Sequence, residues 1–488
     1  MTKKGSKKTI TGLVLIAILM IVLSLTKEKQ VPAKEQHPSL KVHFIDVGAG
    51  DGALIQYGEG KKAHYALIDA GPVYYQKRNK QKINTSDRVH QYLKKRGITH
   101  LEFVLLTHPH QDHIGGMIKI LDDPTIKIDK IYGNDINLKL LQSSDNLTQQ
   151  TVQTATMKEY RDSEGIYETV IEKINQRISQ GKMQYIVPKP GQRIKIGGAT
   201  LTFYGPIQNN YAYARRGDLN YRQVNKYSIV SKLSYGKNTF LMTGDAQKDT
   251  IEVLLKKRYN LQAQVLKVPH HGMQDIIKNG KNIRSDHTLL FQHVKAKAAI
   301  ISNGYDNIYK APHKKVLQDL SASDVYDTGS RGTIIVTANG KKISIKVQKG
   351  KGPRQKRVKE GPQNAKIKSS LKGIKTLELK KKDQTIIKSK KSIRFKFIAS
   401  YGVSGKKTVQ FKIVPINKKA KKYPWLTGEN IEYSKENQKA RIYVRFINCA
   451  GYQTTRKSNI FIIEKKKDKK KEMQKERKEN DKTNRNRH

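Results

Sequence analysis

The sequence predicts an α/β protein with a separate all-β module behind it. Three observations carry that prediction. Residues 39 to 348 alternate short apolar runs with stretches of helical spacing, the order that builds sheets covered by helices. Residues 372 to 464 instead alternate apolar and polar positions with a period of two, as half-buried strands do. Within the first region, the loop Thr107-His108-Pro109-His110-Gln111-Asp112-His113 packs three imidazoles and a carboxylate between the apolar run Leu101 to Leu106 and the pair Gly115-Gly116. Imidazole and carboxylate suit Zn²⁺ and related divalent ions, which need three or four converging ligands.

The elements follow in order. Lys3, Lys4, Lys7 and Lys8 precede an uncharged, mostly apolar run from Thr9 to Thr26, just long enough to span a thin bilayer as a helix. Lysines on its N-terminal side stay in the cytoplasm and leave the body outside. Residues 1–26 are therefore read as a signal anchor and 27–38 as a polar linker. The rival is a cleaved signal peptide, loosely supported by Val31-Pro32-Ala33. Lys41 to Val47 is a strand ending in Gly48-Ala49-Gly50-Asp51-Gly52, where glycines let the backbone turn tightly or approach a ligand. Ala53-Leu54-Ile55 opens a second strand. Tyr65 to Ile68 is a third, ending in Asp69-Ala70-Gly71. Val89, Tyr92 and Leu93 have helical spacing, with Ser86 as N-cap and Gly97 as stop.

Residues 134 to 182 are a polar, mostly helical insertion without a chemical signature. Further strands are expected at 184–187, 200–203 and 225–233. Phe240-Leu241-Met242 leads into Thr243-Gly244-Asp245, followed by a helix with Ile251, Leu254 and Leu255 on one face. Val265 to Val268 leads into Pro269-His270-His271-Gly272, and Ala298 to Ile301 is another strand. Residues 349–371 are basic and poor in large apolar residues, which reads as a linker. In 372–464, Ile393, Phe395 and Phe397 face one way and Arg394 and Lys396 the other, and Val409, Phe411 and Ile413 repeat this. The lysine- and glutamate-rich 465–488 is expected to be a disordered tail.

Charge and cysteine content bound the function. Among 488 residues, Lys and Arg outnumber Asp and Glu 96 to 41, for a formal net charge of +55. That balance favours a polyanionic partner: nucleic acid, an anionic envelope polymer or a lipid surface. Solvated lysine-rich faces and tails account for much of the excess equally well. The single Cys449 excludes an internal disulfide and a cysteine-based zinc site.

His108-x-His110-x-Asp112-His113 followed by Gly-Gly resembles the metal motif of the metallo-β-lactamase superfamily. The resemblance implies an αββα sandwich over residues 39–348, with one or two metals at one edge. Asp69 then matches the carboxylate that orients the metal loop from behind, Asp245 the carboxylate bridging two metals, and His270 the last histidine ligand. Asp51 in the Gly-Asp-Gly turn matches a glycine-aspartate signature of one branch and, with Asn225, is expected behind the ligands. The usual histidine between the central loop and the bridging aspartate is missing. No histidine occurs from Ile114 to Pro269, and the segment expected to carry it reads Asn225-Lys226-Tyr227-Ser228. Together with Phe44 to Asp51 and Pro269 to Gly272, this pattern is similar to the extracellular metallo-hydrolase domain of ComEC-type DNA-uptake proteins, and to phosphorylcholine esterases acting on teichoic acids. The later module resembles bacterial immunoglobulin-like domains.

The resemblance implies two divalent ions, Zn or Mn. Site 1 would use His108, His110 and Asp245, with Asn225 nearby, and site 2 would use Asp112, His113, Asp245 and His270. Such ions acidify a water for in-line attack on phosphorus. Asp112 would orient the nucleophile or accept its proton, and His271 would stabilise charge on a phosphoryl oxygen, a spare surface histidine being the equal alternative. Asn307, Tyr309 and His313 fall where the family has a substrate motif, with Ala311 standing where a histidine is expected. The leading expectation is an exported, metal-dependent phosphodiesterase acting on DNA. The alternatives are a teichoic acid phosphodiesterase and a non-catalytic DNA- or wall-binding protein on the same fold.

Overall fold

The computed structural model describes residues 38–133, 165–205, 225, 227–274, 287–370, 386–389 and 391–464. The expected anchor, its linker, most of the insertion and the charged tail lie outside them. Among the described residues no helix is long and apolar enough to cross a membrane.

Two sheets face each other. The first runs in the order Gln184–Ile186, Lys130–Tyr132, Phe103–Leu105, His64–Ala70, Gly52–Tyr57, Leu40–Phe44, Ile334–Ala338, Ile343–Val347. The second runs Arg193–Ile196, Ala199–Phe203, Ser231–Tyr235, Asn238–Met242, Val265–Lys267, Ala298–Ile301, Asp324–Asp327. Ala66, Ile68, Phe103 and Leu105 point between the sheets, against Phe203, Leu233, Phe240 and Val265. Their neighbours Leu67, Val104 and Leu106 point outward, onto Val89, Leu93, Met117, Ile120, Ile171 and Ile174 of the covering helices. The second sheet does the same with Leu241, Leu266 and Ile301 against Ile251, Leu254, Leu290 and Val316. Strands buried on both faces read as continuous apolar runs. Burying each large side chain between the sheets contributes roughly 1.5–3 kcal/mol. The result is a four-layer αββα sandwich.

Several elements depart from expectation. The strand expected from Asn225 begins only at Ser231. Before it, Ser228 N–H bonds Asn225 O and Ile229 N–H bonds Thr107 O, while Ser228 Oγ accepts from Asp245 N–H. This stretch is bent toward the loop cluster rather than paired in the sheet. The helix expected to be capped by Ser86 starts at Arg88, and the Ser86 hydroxyl donates to Asn84 instead. The described part of the insertion, the helix Ile166–Ser179, packs on the outer face of the first sheet. Its Arg177 donates to the carbonyls of Leu121, Asp123 and Ile126.

In the expected linker, Gln363–Ser369 is a strand paired with Ile393–Ser400. Residues before it run along the sandwich, with Val358 N–H on Ser321 O and Arg354 paired to Asp327. The module that follows packs Ile393, Phe395, Phe397, Val409, Phe411, Ile442, Val444 and Phe446 between a three-stranded and a six-stranded sheet.

Candidate metal centre

At one edge of the sandwich, strand ends from both sheets meet. The strand His64–Ala70 carries Asp69 in a left-handed backbone conformation (φ 55°), uncommon for a residue with a side chain. Its buried carboxylate accepts from Thr107 N–H at 2.8 Å, Thr107 Oγ1 at 2.7 Å and His113 Nδ1 at 2.8 Å. Asp69 thus ties the start and the end of the histidine loop to one strand. Close backbone approach completes the fit. A Cβ on Gly116 would stand 2.1 Å from Ala70 O, and one on Gly50 2.2 Å from Asp112 O.

The pinned Nδ1 leaves His113 Nε2 facing Asp245 Oδ1 at 3.2 Å. His271 is fixed the same way. Its Nδ1 donates to Ser302 O at 2.9 Å, and Nε2 points to Asp112 Oδ2 at 3.1 Å and Asp245 Oδ2 at 3.3 Å. On the other side of Asp245, His108 Nε2 lies 3.1 Å from His110 Nδ1 and 3.8 Å from Asp245 Oδ2. Three groups result: Asp112, His113, Asp245 and His271; His108, His110 and Asp245; and Asp51, Asp69 and His113. Within each, the candidate ligand atoms lie within 4.8 Å of one another.

Electrostatics follow from this crowding. Burial favours the neutral form of every group here. Against it, Asp245 and then Asp69 and Asp51 raise His113 well above the usual imidazole range. Asp245, Asp112 and Asp51 do the same to His271. Burial also raises the carboxyl of Asp245, but the charges of His271 and His113 outweigh it and hold that group low. Asp112 is held low against burial by His271 and His113. His108 goes the other way: burial, then the nearby His113 and His110, lower it. Burial raises the carboxyl of Asp69 despite the pull of His113.

The donor set fits divalent metal. His113 Nε2, His271 Nε2 and Asp245 Oδ1 are buried and have no aligned hydrogen-bond partner among the described residues, although such groups are normally satisfied. Each of these histidines has its other ring nitrogen anchored, as metal-ligating histidines do.

The residues singled out in the sequence fall into three sets. His108, His110, Asp112, His113 and Asp245 are brought together, with Asp69 behind them. The two adjacent histidines exchange places relative to expectation. His271 enters the carboxylate cluster, whereas His270 lies 4.0 Å from Asp245 Oδ2, receives a hydrogen bond from Asn225 Nδ2 at 3.2 Å, and keeps its side chain 17% exposed. Both residues have positive φ, 50° and 54°, and that local backbone decides which ring turns inward. In the expected substrate motif only Tyr309 faces solvent, 61% exposed. Asn307 is buried on Gly304 O and on both backbone groups of Ala311. His313 accepts from Gln274 N–H and donates to Tyr309 O. The side-chain polar atoms of these two residues bond within this loop and to Gln274.

Sequence reading missed Lys267. It is 3% exposed, with its ammonium on the Asp51 carboxylate and on Gly244 O. A lysine inside the apolar run Val265-Leu266-Lys267-Val268 was the available signal, because lysine is almost never fully buried unless paired.

This fold and the ligand groups at its edge fit metal binding, and comparison with known proteins places the histidine loop in a known family profile. Residues 46–140 match the family profile described as metallo-beta-lactamase superfamily. The chain is homologous to ComE operon protein 3 of Bacillus subtilis, 26% identical over 302 residues, 60% of this chain and 32% of that protein. It also matches Recombination protein 2 of Haemophilus influenzae, 32% identical over 117 residues, 24% of this chain and 14% of that protein. The uncharacterized protein YcaI of Escherichia coli is 31% identical over 125 residues, 25% and 15% of the two chains. The chain thus spans about a third or less of the length of these relatives. Among solved structures, the diiron β-hydroxylase CmlA of Streptomyces venezuelae superposes at a TM-score of 0.29 with 10% identity, over 55% of this chain and 44% of that one.

Proposed function

We propose that the protein is an exported, membrane-anchored phosphodiesterase that uses two divalent ions and acts on nucleic acid. The observation that carries this reading is the pair of ligand groups sharing Asp245. The +55 charge and the homology to ComE operon protein 3 support a polyanionic substrate. The apolar run Thr9 to Thr26 supports the anchor.

In this reading His108, His110 and Asp245 hold one ion, and Asp112, His113, Asp245 and His271 the other. Bound there, divalent ions supply an acidified water and positive charge for a phosphoryl oxygen. Asp69 and Ser302 O anchor Nδ1 of His113 and His271, so their Nε2 atoms would be the ones to hold an ion. Asp112 is the most open carboxylate of the cluster, its side chain 25% exposed, which supports reading it as the group that would orient a water or take its proton. His270, its side chain 17% exposed beside Asp245, is read as a contact for an entering phosphate. Tyr305 and Tyr309 offer exposed rings for stacking, and the Tyr309 phenol lies within the field of the Asp112 carboxylate.

The test incubates the purified protein with linear DNA and Mn²⁺ or Zn²⁺, beside His110→Ala and Asp245→Ala. Metal-dependent cleavage lost in both variants is the expected outcome. DNA left intact under every metal would remove nucleic acid as the substrate.

A further inference from the structure

The Gly-Asp-Gly turn after the first strand and the buried lysine before Pro269-His270-His271 have no part in that chemistry, yet they meet beneath the metal cluster. Lys267 Nζ touches Asp51 Oδ2, donates to Gly244 O at 3.1 Å and lies 3.9 Å from Asp245 Oδ1. That oxygen of Asp245 is the one without an aligned partner that also faces His113 Nε2. A buried ammonium seeks a carboxylate, and two stand within its reach. If Lys267 paired with Asp245, it would occupy a carboxylate that two ligand groups share, and it would repel any cation entering them.

We propose that Asp51 is a positioning residue that holds the Lys267 ammonium off Asp245, keeping the shared carboxylate free for metal. The remaining geometry agrees. Asp51 is fixed by backbone bonds on both sides, its N–H donating to Asp112 O at 3.1 Å and its carbonyl accepting from Gly71 N–H at 2.7 Å. These bonds hold the backbone that carries the carboxylate beside the lysine. Gly50 is required beside it because a Cβ there would strike Asp112 O. Gly244 O takes a second proton of the ammonium and fixes its direction. Asp51 Oδ1 also lies 3.4 Å from His271 Nδ1, so the same carboxylate backs a proposed ligand. The chain thus keeps a cation next to a cation site and separates the two by one carboxylate.

This inference rests on the reading of the cluster as a metal centre, and the experiment separates the two. Mn²⁺ and Zn²⁺ binding to the whole protein is measured by titration calorimetry for wild type, Asp51→Asn, Lys267→Met and the double variant. Asp51→Asn frees the ammonium to compete, and metal affinity should fall about 10- to 100-fold, the usual effect of losing a group behind a metal site. Lys267→Met removes the competitor and should bind metal at least as tightly as wild type. The double variant should regain the affinity that Asp51→Asn lost, and the two changes together leave no unpaired buried charge. Wild-type affinity in Asp51→Asn, or a double variant as weak as Asp51→Asn, overturns the role given to Asp51. If Asp51→Asn does not fold, Lys267→Met still decides: an affinity well below wild type means that the ammonium supports the metal instead of competing with it. A wild-type protein that binds neither metal overturns the reading of the whole cluster.

Discussion

Replacing Asp69 with alanine isolates the device that positions the histidine loop. Its carboxylate accepts three hydrogen bonds of 2.7–2.8 Å from Thr107 N–H, Thr107 Oγ1 and His113 Nδ1, and all the partners are buried. In Asp69→Ala the Thr107 hydroxyl can turn to another acceptor, but the backbone N–H and the imidazole N–H stay fixed. Each orphaned buried donor costs about 1–3 kcal/mol, so the αββα domain should lose about 2–6 kcal/mol. Asp69→Asn keeps one acceptor oxygen and should lose less stability. It also presents an amide to His113 and favours the wrong tautomer. Both variants should lose metal affinity, about 10- to 100-fold. Urea unfolding of the metal-free protein, followed by circular dichroism, reads the first effect, because the single tryptophan, Trp425, sits in the β module. Calorimetry with Zn²⁺ reads the second. A stability loss under about 1 kcal/mol in Asp69→Ala, with zinc affinity unchanged, would refute the argument that Asp69 carries the loop.

Three further outcomes are expected. Gly116→Ala places a Cβ 2.1 Å from Ala70 O, a backbone contact that cannot yield, so stability should fall by about 1–3 kcal/mol or more; an unchanged urea midpoint would sink this. Tyr309→Ala should raise KM for DNA with little change in kcat, by the equivalent of about 1–3 kcal/mol for one lost stacking partner; an equal fall in kcat at constant KM would place Tyr309 in the chemistry instead. His113 and His271 are raised above the ordinary value of 6.5 by Asp245 and its neighbours. Their stabilising effect is complete below that value and is lost as pH rises through the folded-state values. The unfolding midpoint of the metal-free protein should therefore drop as pH climbs from about 6.5, and Zn²⁺ should reverse the trend. A flat profile from neutrality upward would contradict the charge arrangement.

The apolar runs were legible because strands sandwiched between two layers must be apolar on both faces, and Tyr65 to Ile68 and Ala298 to Ile301 leave no other reading. The histidine loop was legible because its ligands are contiguous. What failed to show was set by backbone direction or by distant partners. Asn225 to Val230 has the composition of a strand, but Ser228 is used by Asp245 N–H and turns the chain out of the ladder. Nothing in the letters His270-His271 states which ring turns inward; two consecutive left-handed residues decide it. Gln363–Ser369 looked like linker because its lysines face solvent, while only Ala365 and Ile367 enter the core. Asn307 resembled a substrate contact because an amide that braces a loop and one that binds a ligand are the same residue in sequence.

The charges of the cluster are arranged to offset one another. Asp51, Asp69, Asp112 and Asp245 gather four carboxylates in a space from which water is largely excluded, and Lys267 offsets one of them. Leaving the rest uncompensated would be prohibitive in a medium that solvates charge poorly. The raised His113 and His271 offset two of the other three, each accepting a proton on the nitrogen that faces Asp245, and burial raises the carboxyl of the third, Asp69. A metal entering the cluster must displace those protons, so binding and deprotonation are one exchange. Lys267 carries the one compensating charge beside Asp245 that metal does not replace, which is why its placement against Asp51 matters: a fixed cation next to an exchangeable one is tolerated only where the chain keeps the two apart.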